Sequence, residues 1–211
     1  MNKGVIFDLD GVLVSTDHYH YLAWKRMAEE ENLAFDETLN NQLRGVSRMA
    51  SLDIILTYNK AKYSDEAKTA LATKKNTYYR VSLEDLNPTH MLPGALKTLN
   101  TLKELGVKLA IGSSSKNARY ILNKLEITDY FDAIVDGTDI TESKPHPEVF
   151  LKAQEALGVE KSACYVIEDA ESGIEAANRA NLISIGINDA ETSPQAKHTI
   201  HALPELIKII N

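Results

Sequence analysis

An apolar run, Val5-Ile6-Phe7, stops at Asp8-Leu9-Asp10-Gly11. Branched and aromatic residues in so short a run mark a buried strand, which puts both acids at a strand's carboxyl end. In an open α/β sheet that is the edge where ligands bind. Residues two apart on an extended chain project from the same face, and two anions held together demand a cation or a shared proton. Mg²⁺ meets the demand, because it takes oxygen ligands and bridges carboxylates to substrate phosphate. A carboxylate is also ionised at neutral pH. It can attack phosphorus to give an aspartyl-phosphate when a metal and a lysine offset the repulsion, with Asp10 placed to protonate the leaving oxygen. Taken alone, Asp-x-Asp-Gly favours a mere turn or a weak metal site with no chemistry, so the other strand ends decide.

From residue 15 to residue 91 the pattern is helical, with no strand-like run. Tyr19, Leu22, Ala23 and Met27 define one helix, on which Thr16, His20 and Trp24 share a face through their spacing of four. Asp36 is a cap for a short helix. Gly45 in Arg44-Gly45-Val46-Ser47 marks a turn, and Ser47 caps the helix that carries Ser51, Leu52 and Ile55. Arg48 therefore stands at a helix N-terminus, where exposed N–H groups and the dipole favour anions. A further helix from Ser64 carries Leu71 and Lys75 near its inward stripe; by itself Lys75 reads as a snorkelling amine whose head reaches water.

Strand–helix alternation begins near Met91, with strands expected at 107–111, 133–135, 164–167 and 183–187. Helices are expected from Pro93, beyond Asn117, from Pro147, near Gly173 and near Pro204. Strands separated by helices pair in parallel through right-handed crossovers. The fold class expected is α/β: a doubly wound parallel sheet, Rossmann-like, with an inserted α-helical cap. Residues 1–14 and 92–211 form the core domain and residues 15–91 the cap.

A net charge of -7 argues against nucleic acid as a partner, since backbone phosphates need a clustered basic surface. The single cysteine, Cys164, excludes an intrachain disulfide and lies in an apolar run as packing. No leader pattern or long apolar run is present, so the expectation is a cytoplasmic protein without a membrane partner; a monomer is expected as well. His18 and His20 are two apart on a helix and face different ways, so they do not chelate one metal.

The strand ends carry Asp8 and Asp10, then Ser113, then Lys144, then Glu168 and Asp169. These are a nucleophile, a hydroxyl donor, a cation for developing charge and anionic metal anchors, the parts that phosphoryl transfer through a carboxylate requires. Each has an innocent reading alone; four coincidences at successive strand ends are less economical than one site.

In order, Asp8-Leu9-Asp10-Gly11-Val12, Ser113, Lys144-Pro145 and Glu168-Asp169-Ala170-Glu171-Ser172-Gly173-Ile174 resemble the four motifs of the haloacid dehalogenase-like phosphotransferases, across the whole chain. The resemblance implies Asp8 as nucleophile, Asp10 as general acid and base, and Ser113 and Lys144 as phosphate-binding groups. It implies Mg²⁺ held by Asp8, the backbone carbonyl of Asp10, and Asp169, with Glu168 close by.

The insert is similar to the cap of the β-phosphoglucomutase branch of that family. The matching residues are Thr16, His20 and Trp24, the run Leu43-Arg44-Gly45-Val46-Ser47-Arg48 with Ser51-Leu52, and Lys75. This similarity implies that Thr16, His20, Trp24, Gly45, Val46, Ser47, Arg48, Ser51, Lys75, Ser114 and Asn117 bind substrate. Arg48 would take the distal phosphate of a bisphosphorylated sugar, and His20 would partner Asp10. Ser15 departs from the pattern where an acid is common, and Ser114 where alanine is expected; Lys-Pro continues as His146-Pro147-Glu148.

The implied activity is interconversion of β-D-glucose 1-phosphate and glucose 6-phosphate through an aspartyl-phosphate and glucose 1,6-bisphosphate. A sugar-phosphate phosphatase of the same family shares every core residue and is the alternative. A non-enzymatic phospho-receiver joins similar groups on a parallel sheet but has no helical insert after its first strand.

Overall fold

The computed structural model describes residues 2–43 and 46–211, so Arg44 and Gly45 of the expected turn lie outside the described residues. The chain divides into two compact units, Thr16–Leu86 and Met1–Ser15 with Asn87–Asn211. The second is discontinuous because the first is inserted after its opening strand.

The helical unit comprises α1 (Asp17–Glu30), α2 (Glu37–Asn41), α3 (Arg48–Tyr58) and α4 (Asp65–Ser82). Three of these start at a polar cap: Asp36 accepts from Leu39 N, Ser47 from Ala50 N and Ser64 from Ala67 N. Each satisfies an N–H that the helix leaves unpaired. Thr16 occupies the cap position of α1 without capping it, because its hydroxyl is 2.9 Å from the Tyr79 hydroxyl instead. The apolar stripes of the helices meet in a core that includes Trp24, Met27, Leu39, Leu52, Ile55 and Leu71.

The α/β unit holds β1 (Gly4–Phe7), β2 (Lys108–Gly112), β3 (Ala133–Val135), β4 (Cys164–Glu168), β5 (Ile183–Gly186) and β6 (His198–Thr199). They lie in the order β3-β2-β1-β4-β5-β6, and each neighbouring pair is parallel. Parallel pairing needs crossovers, supplied by α5 (Ala95–Glu104), α6 (Ala118–Lys124), α7 (Glu148–Leu157) and α8 (Glu171–Arg179); α9 (Leu206–Ile210) ends the chain. Helices cover both faces, which is why the strands read as unbroken apolar runs. Ile6, Ala110 and Val166 of three strands pack with Phe150 and Leu157 of α7 and Ala177 of α8.

Some details differ from the expectation. β2 runs one residue further, to Gly112, and α5 starts at Ala95 rather than Pro93 because Gly94 turns left-handed at φ 80. β6 was not expected: both of its residues are exposed, so no apolar pattern betrays a strand that exists through its backbone ladder to Ile185 and Gly186.

Successive connections run away from β1 in opposite directions, first to β2 and β3, then to β4 and beyond. The crevice past the carboxyl ends of β1 and β4 is therefore the topological switch point of the sheet. Cys164 is fully buried and its thiol is pushed up to about 12 by burial, which makes it a packing atom and not a nucleophile. No described helix is long and apolar enough to cross a membrane.

Candidate active site

At the switch point β1 delivers Asp8 and β4 delivers Glu168 and Asp169. Their carboxylate oxygens lie within 4.8 Å of one another. Asp8 N donates to Ile167 O at 2.9 Å, so the ladder between the two strands continues up to the first acid. Lys144, on the connection from β3 to α7, is buried and donates to Asp8 Oδ1 at 2.5 Å and to Glu168 Oε1. Ser113, one residue past β2, is buried, and its N–H donates to Val135 O of β3. Four strand ends thus bring Asp8, Ser113, Lys144, Glu168 and Asp169 to one edge.

Asp10 lies on a tight turn closed by Leu13 N to Leu9 O at 3.0 Å and Gly11 N to Val14 O at 2.7 Å. Its carboxylate is not one of the three clustered ones. Ser114 keeps a buried hydroxyl with no hydrogen-bond partner among the described residues, and Asn117, buried, donates its N–H to Ser115 Oγ at 3.2 Å.

The electrostatics of this edge are those of too many anions for one cation. Burial works against the Lys144 ammonium, but Asp8 and Glu168 more than offset that and raise its pKa above the ordinary value. Burial raises the pKa of Glu168, opposed by Lys144, and raises Asp169 with further help from Glu168, Asp8 and Asp10. Such carboxyls hold protons until a cation replaces them.

The donor set suits Mg²⁺, a hard ion that takes carboxylate oxygens and keeps open positions for phosphate. The backbone is shaped to leave the acids room. A Cβ on Gly173 would lie 1.9 Å from the Glu168 carboxyl carbon, and one on Gly11 would lie 1.9 Å from Asp169 Oδ2.

The helical unit carries a second cluster, of opposite sign. Lys75 is 1 % exposed, which corrects the snorkelling expectation. Its Nζ sits 4.8 Å over the Trp24 ring, 4.7 Å over the Tyr79 ring and 2.7 Å from His20 Nδ1. Aromatic faces attract a desolvated cation, so the ammonium is held inside and not drawn out to water. An ammonium can only donate, so Nδ1 accepts and the imidazole proton resides on Nε2. Burial, then Lys75, then Arg48 lower the His20 pKa well below the ordinary value, and the ring is neutral.

Tyr79 completes the group, with its ring 4.0 Å from that of His20 and its hydroxyl on Thr16. No role was expected for it, although its place one turn beyond Lys75 on the same helix was a usable signal. Arg48 opens α3, with its pKa lowered by burial; Ser51 is buried one turn on, while Val46 and Ser47 are half-buried. Gly45 lies outside the described residues. Asn188, just past β5, also escaped the sequence reading: its Nδ2 donates to Gly11 O at 2.6 Å, tying a further strand end to the Asp10 turn.

Against known families, residues 5–187 match the model of the haloacid dehalogenase-like hydrolases. The chain belongs to that family. Among its relatives, a β-phosphoglucomutase of Bacillus subtilis is 42 % identical over 90 % of this chain and 84 % of its own. A phosphorylated carbohydrates phosphatase of Thermotoga maritima is 31 % identical over 97 % of this chain and 96 % of its own. The crystal structure of a β-phosphoglucomutase from Clostridium difficile superposes with a TM-score of 0.92 at 39 % identity, covering 98 % of this chain and 93 % of that one. The chain is therefore an enzyme of the haloacid dehalogenase-like family, of the phosphotransferase or phosphatase kind.

Proposed function

We propose that this enzyme is a Mg²⁺-dependent phosphosugar mutase. It interconverts β-D-glucose 1-phosphate and glucose 6-phosphate through an aspartyl-phosphate and glucose 1,6-bisphosphate, with the helical unit serving as a cap. In this reading an Asp8 oxygen attacks phosphorus as the bond to the sugar oxygen breaks, and Asp10 gives that oxygen a proton. Lys144 offsets the charge on Asp8 and on the transferring group, while Ser113 donates to a phosphoryl oxygen. Mg²⁺ held by Asp8, Asp169 and the Asp10 carbonyl, with Glu168 beside them, supplies further charge neutralisation. With the C1 phosphoryl group of the bisphosphate on Asp8, glucose 6-phosphate is released; the group then passes to the free 6-hydroxyl of an incoming glucose 1-phosphate, with Asp10 now accepting the proton, which re-forms the bisphosphate.

The observation that carries the mutase reading over the phosphatase is the buried cation in the helical unit. A hydrolase acts on one phosphate and leaves the acyl phosphate to water. A mutase must hold a second phosphate while it keeps water away, and Lys75 with Arg48 supplies charge for that purpose. The relatedness to the Bacillus and Clostridium enzymes supports the same reading, and the Thermotoga relative supports the phosphatase. Incubation with glucose 1-phosphate and Mg²⁺, with and without glucose 1,6-bisphosphate, separates the two. Primer-dependent formation of glucose 6-phosphate with little inorganic phosphate is expected; rapid phosphate release with no priming would assign the phosphatase.

A further inference from the structure

Lys144 rises from residues 136–147, a connection with no strand or α-helix of its own. A long amine on irregular backbone is accurate only if that backbone is held. A side chain from the first turn of α7 holds it. Glu148 Oε2 accepts from the Thr141 N–H and hydroxyl, both at 3.0 Å, and from the Glu142 N–H at 2.9 Å. Its other oxygen accepts from Lys152 Nζ at 2.7 Å, and the same ammonium donates to Asp139 O at 2.6 Å.

The segment also closes on itself beyond the lysine. His146 Nδ1 accepts from Glu148 N at 3.3 Å, its Nε2 lies 2.9 Å from the Glu142 carboxylate, and its N–H donates to Ser143 O at 3.0 Å. Lys144 and Pro145 are bracketed on both sides. An acid in a first helical turn is ordinarily explained by the dipole. Here the carboxylate is committed to the connection's own donors, and Lys152 with the Glu142 N–H pulls its pKa down to about 2, so it stays charged.

We infer that Glu148 is a positioning residue for phosphoryl transfer: by clamping Thr141 and Glu142 it fixes the backbone from which Lys144 reaches Asp8. The inference rests on the proposed part of Lys144 in the reaction. Hydrolysis of 4-nitrophenyl phosphate with Mg²⁺ tests it independently of any sugar. The variants are Glu148→Ala, Glu148→Gln, Glu148→Asp, Lys144→Ala and the Lys144→Ala/Glu148→Ala double. A glutamine carbonyl still reaches both N–H groups; an aspartate keeps the charge but not the reach.

The Ala and Asp variants are expected to lose about tenfold to a hundredfold in kcat at an unchanged melting temperature. Gln stays near the wild-type rate, and the double variant is no slower than Lys144→Ala. Wild-type kcat in Glu148→Ala, a multiplicative loss in the double variant, or a retained Asp beside a lost Gln would each overturn the inference. Should Glu148→Ala fail to fold, the Asp and Gln pair carries the test. A fully active Lys144→Ala would sink the proposed chemistry and this inference together, and that variant alone tells this failure apart from the rest.

Discussion

At the edge of the sheet one ammonium, Lys144, lies between the carboxylates of Asp8 and Glu168 with Asp169 close by, whereas in the helical unit Lys75 lies between two aromatic faces and an imidazole. Both lysines are buried, yet burial does opposite work around them. The first is surrounded by an anionic excess that invites a further cation. The second sits beside a ring that burial, helped by the positive charge of Lys75 and Arg48, keeps neutral, a setting that invites an anion. Under the proposed function, the transferring phosphoryl group and its metal belong with the former and a spectator phosphate with the latter.

The largest effect that could break this division is Asp8→Asn. It should lower turnover of both glucose 1-phosphate and 4-nitrophenyl phosphate by at least about 10⁴-fold, in line with the loss of other nucleophiles. Phosphoenzyme detected by mass spectrometry should vanish as well; a labelled Asn variant would move the nucleophile elsewhere. Next come Arg48→Ala and Lys75→Met. Each removes a charge proposed for the distal phosphate, and each should cost about a hundredfold or more in primed mutase kcat/KM. Aryl phosphate hydrolysis should change little, and equal losses on both substrates would merge the two regions into one function.

A third, smaller effect separates the units by pH. In the metal-free protein Glu168 rises from 4.5 to about 7 and Asp169 from 3.8 to about 9, so the folded state binds more protons than the unfolded one between those values. The contribution of this pair to the stability of the α/β unit is therefore fullest at low pH and falls as pH rises through the folded values. His20 has the opposite sign. Its lowered pKa gives the helical unit stability that is present above 6.5 and lost as pH falls. Amide hydrogen exchange, corrected for its intrinsic pH dependence, should show opposite slopes in the two units. Saturating Mg²⁺ should flatten only the first; parallel slopes would remove the contrast. Smallest is Ser47→Ala, which deprives Ala50 N of its cap and should cost about 1 kcal/mol. A thermal melt checks it, and the loss should leave the sheet edge unaffected.

Much of the sheet edge was legible because its signals are local. Apolar runs that stop at acids give strand ends, and parallel topology carries strand ends to one side; hence Asp8, Ser113, Lys144, Glu168 and Asp169 were readable before any coordinates. The burial of Lys75 was not legible in its own stretch because it depends on Trp24 from α1 and on the turn that brings Tyr79 beneath it. Tyr79, one turn on, was half of the signal, but nothing adjacent to Lys75 announces Trp24. Glu148 drew no role from the sequence, since its hydrogen bonds run to residues six and seven positions earlier and exist only once the connection folds back. β6 was invisible for a simpler reason: an exposed two-residue edge has no hydrophobic pattern to display.

The place of β1 in the ladder also bears on how the molecule is made. Val5 aligns with Leu109 on one side and Tyr165 on the other, so the strand synthesised first must wait for partners from the middle and the last third of the chain. During translation the local contacts of the helical insert become available while a bare, wholly apolar segment stays tethered ahead of it. Assembly of the sheet is governed by these distant pairings and is the slow, aggregation-exposed stage of biogenesis.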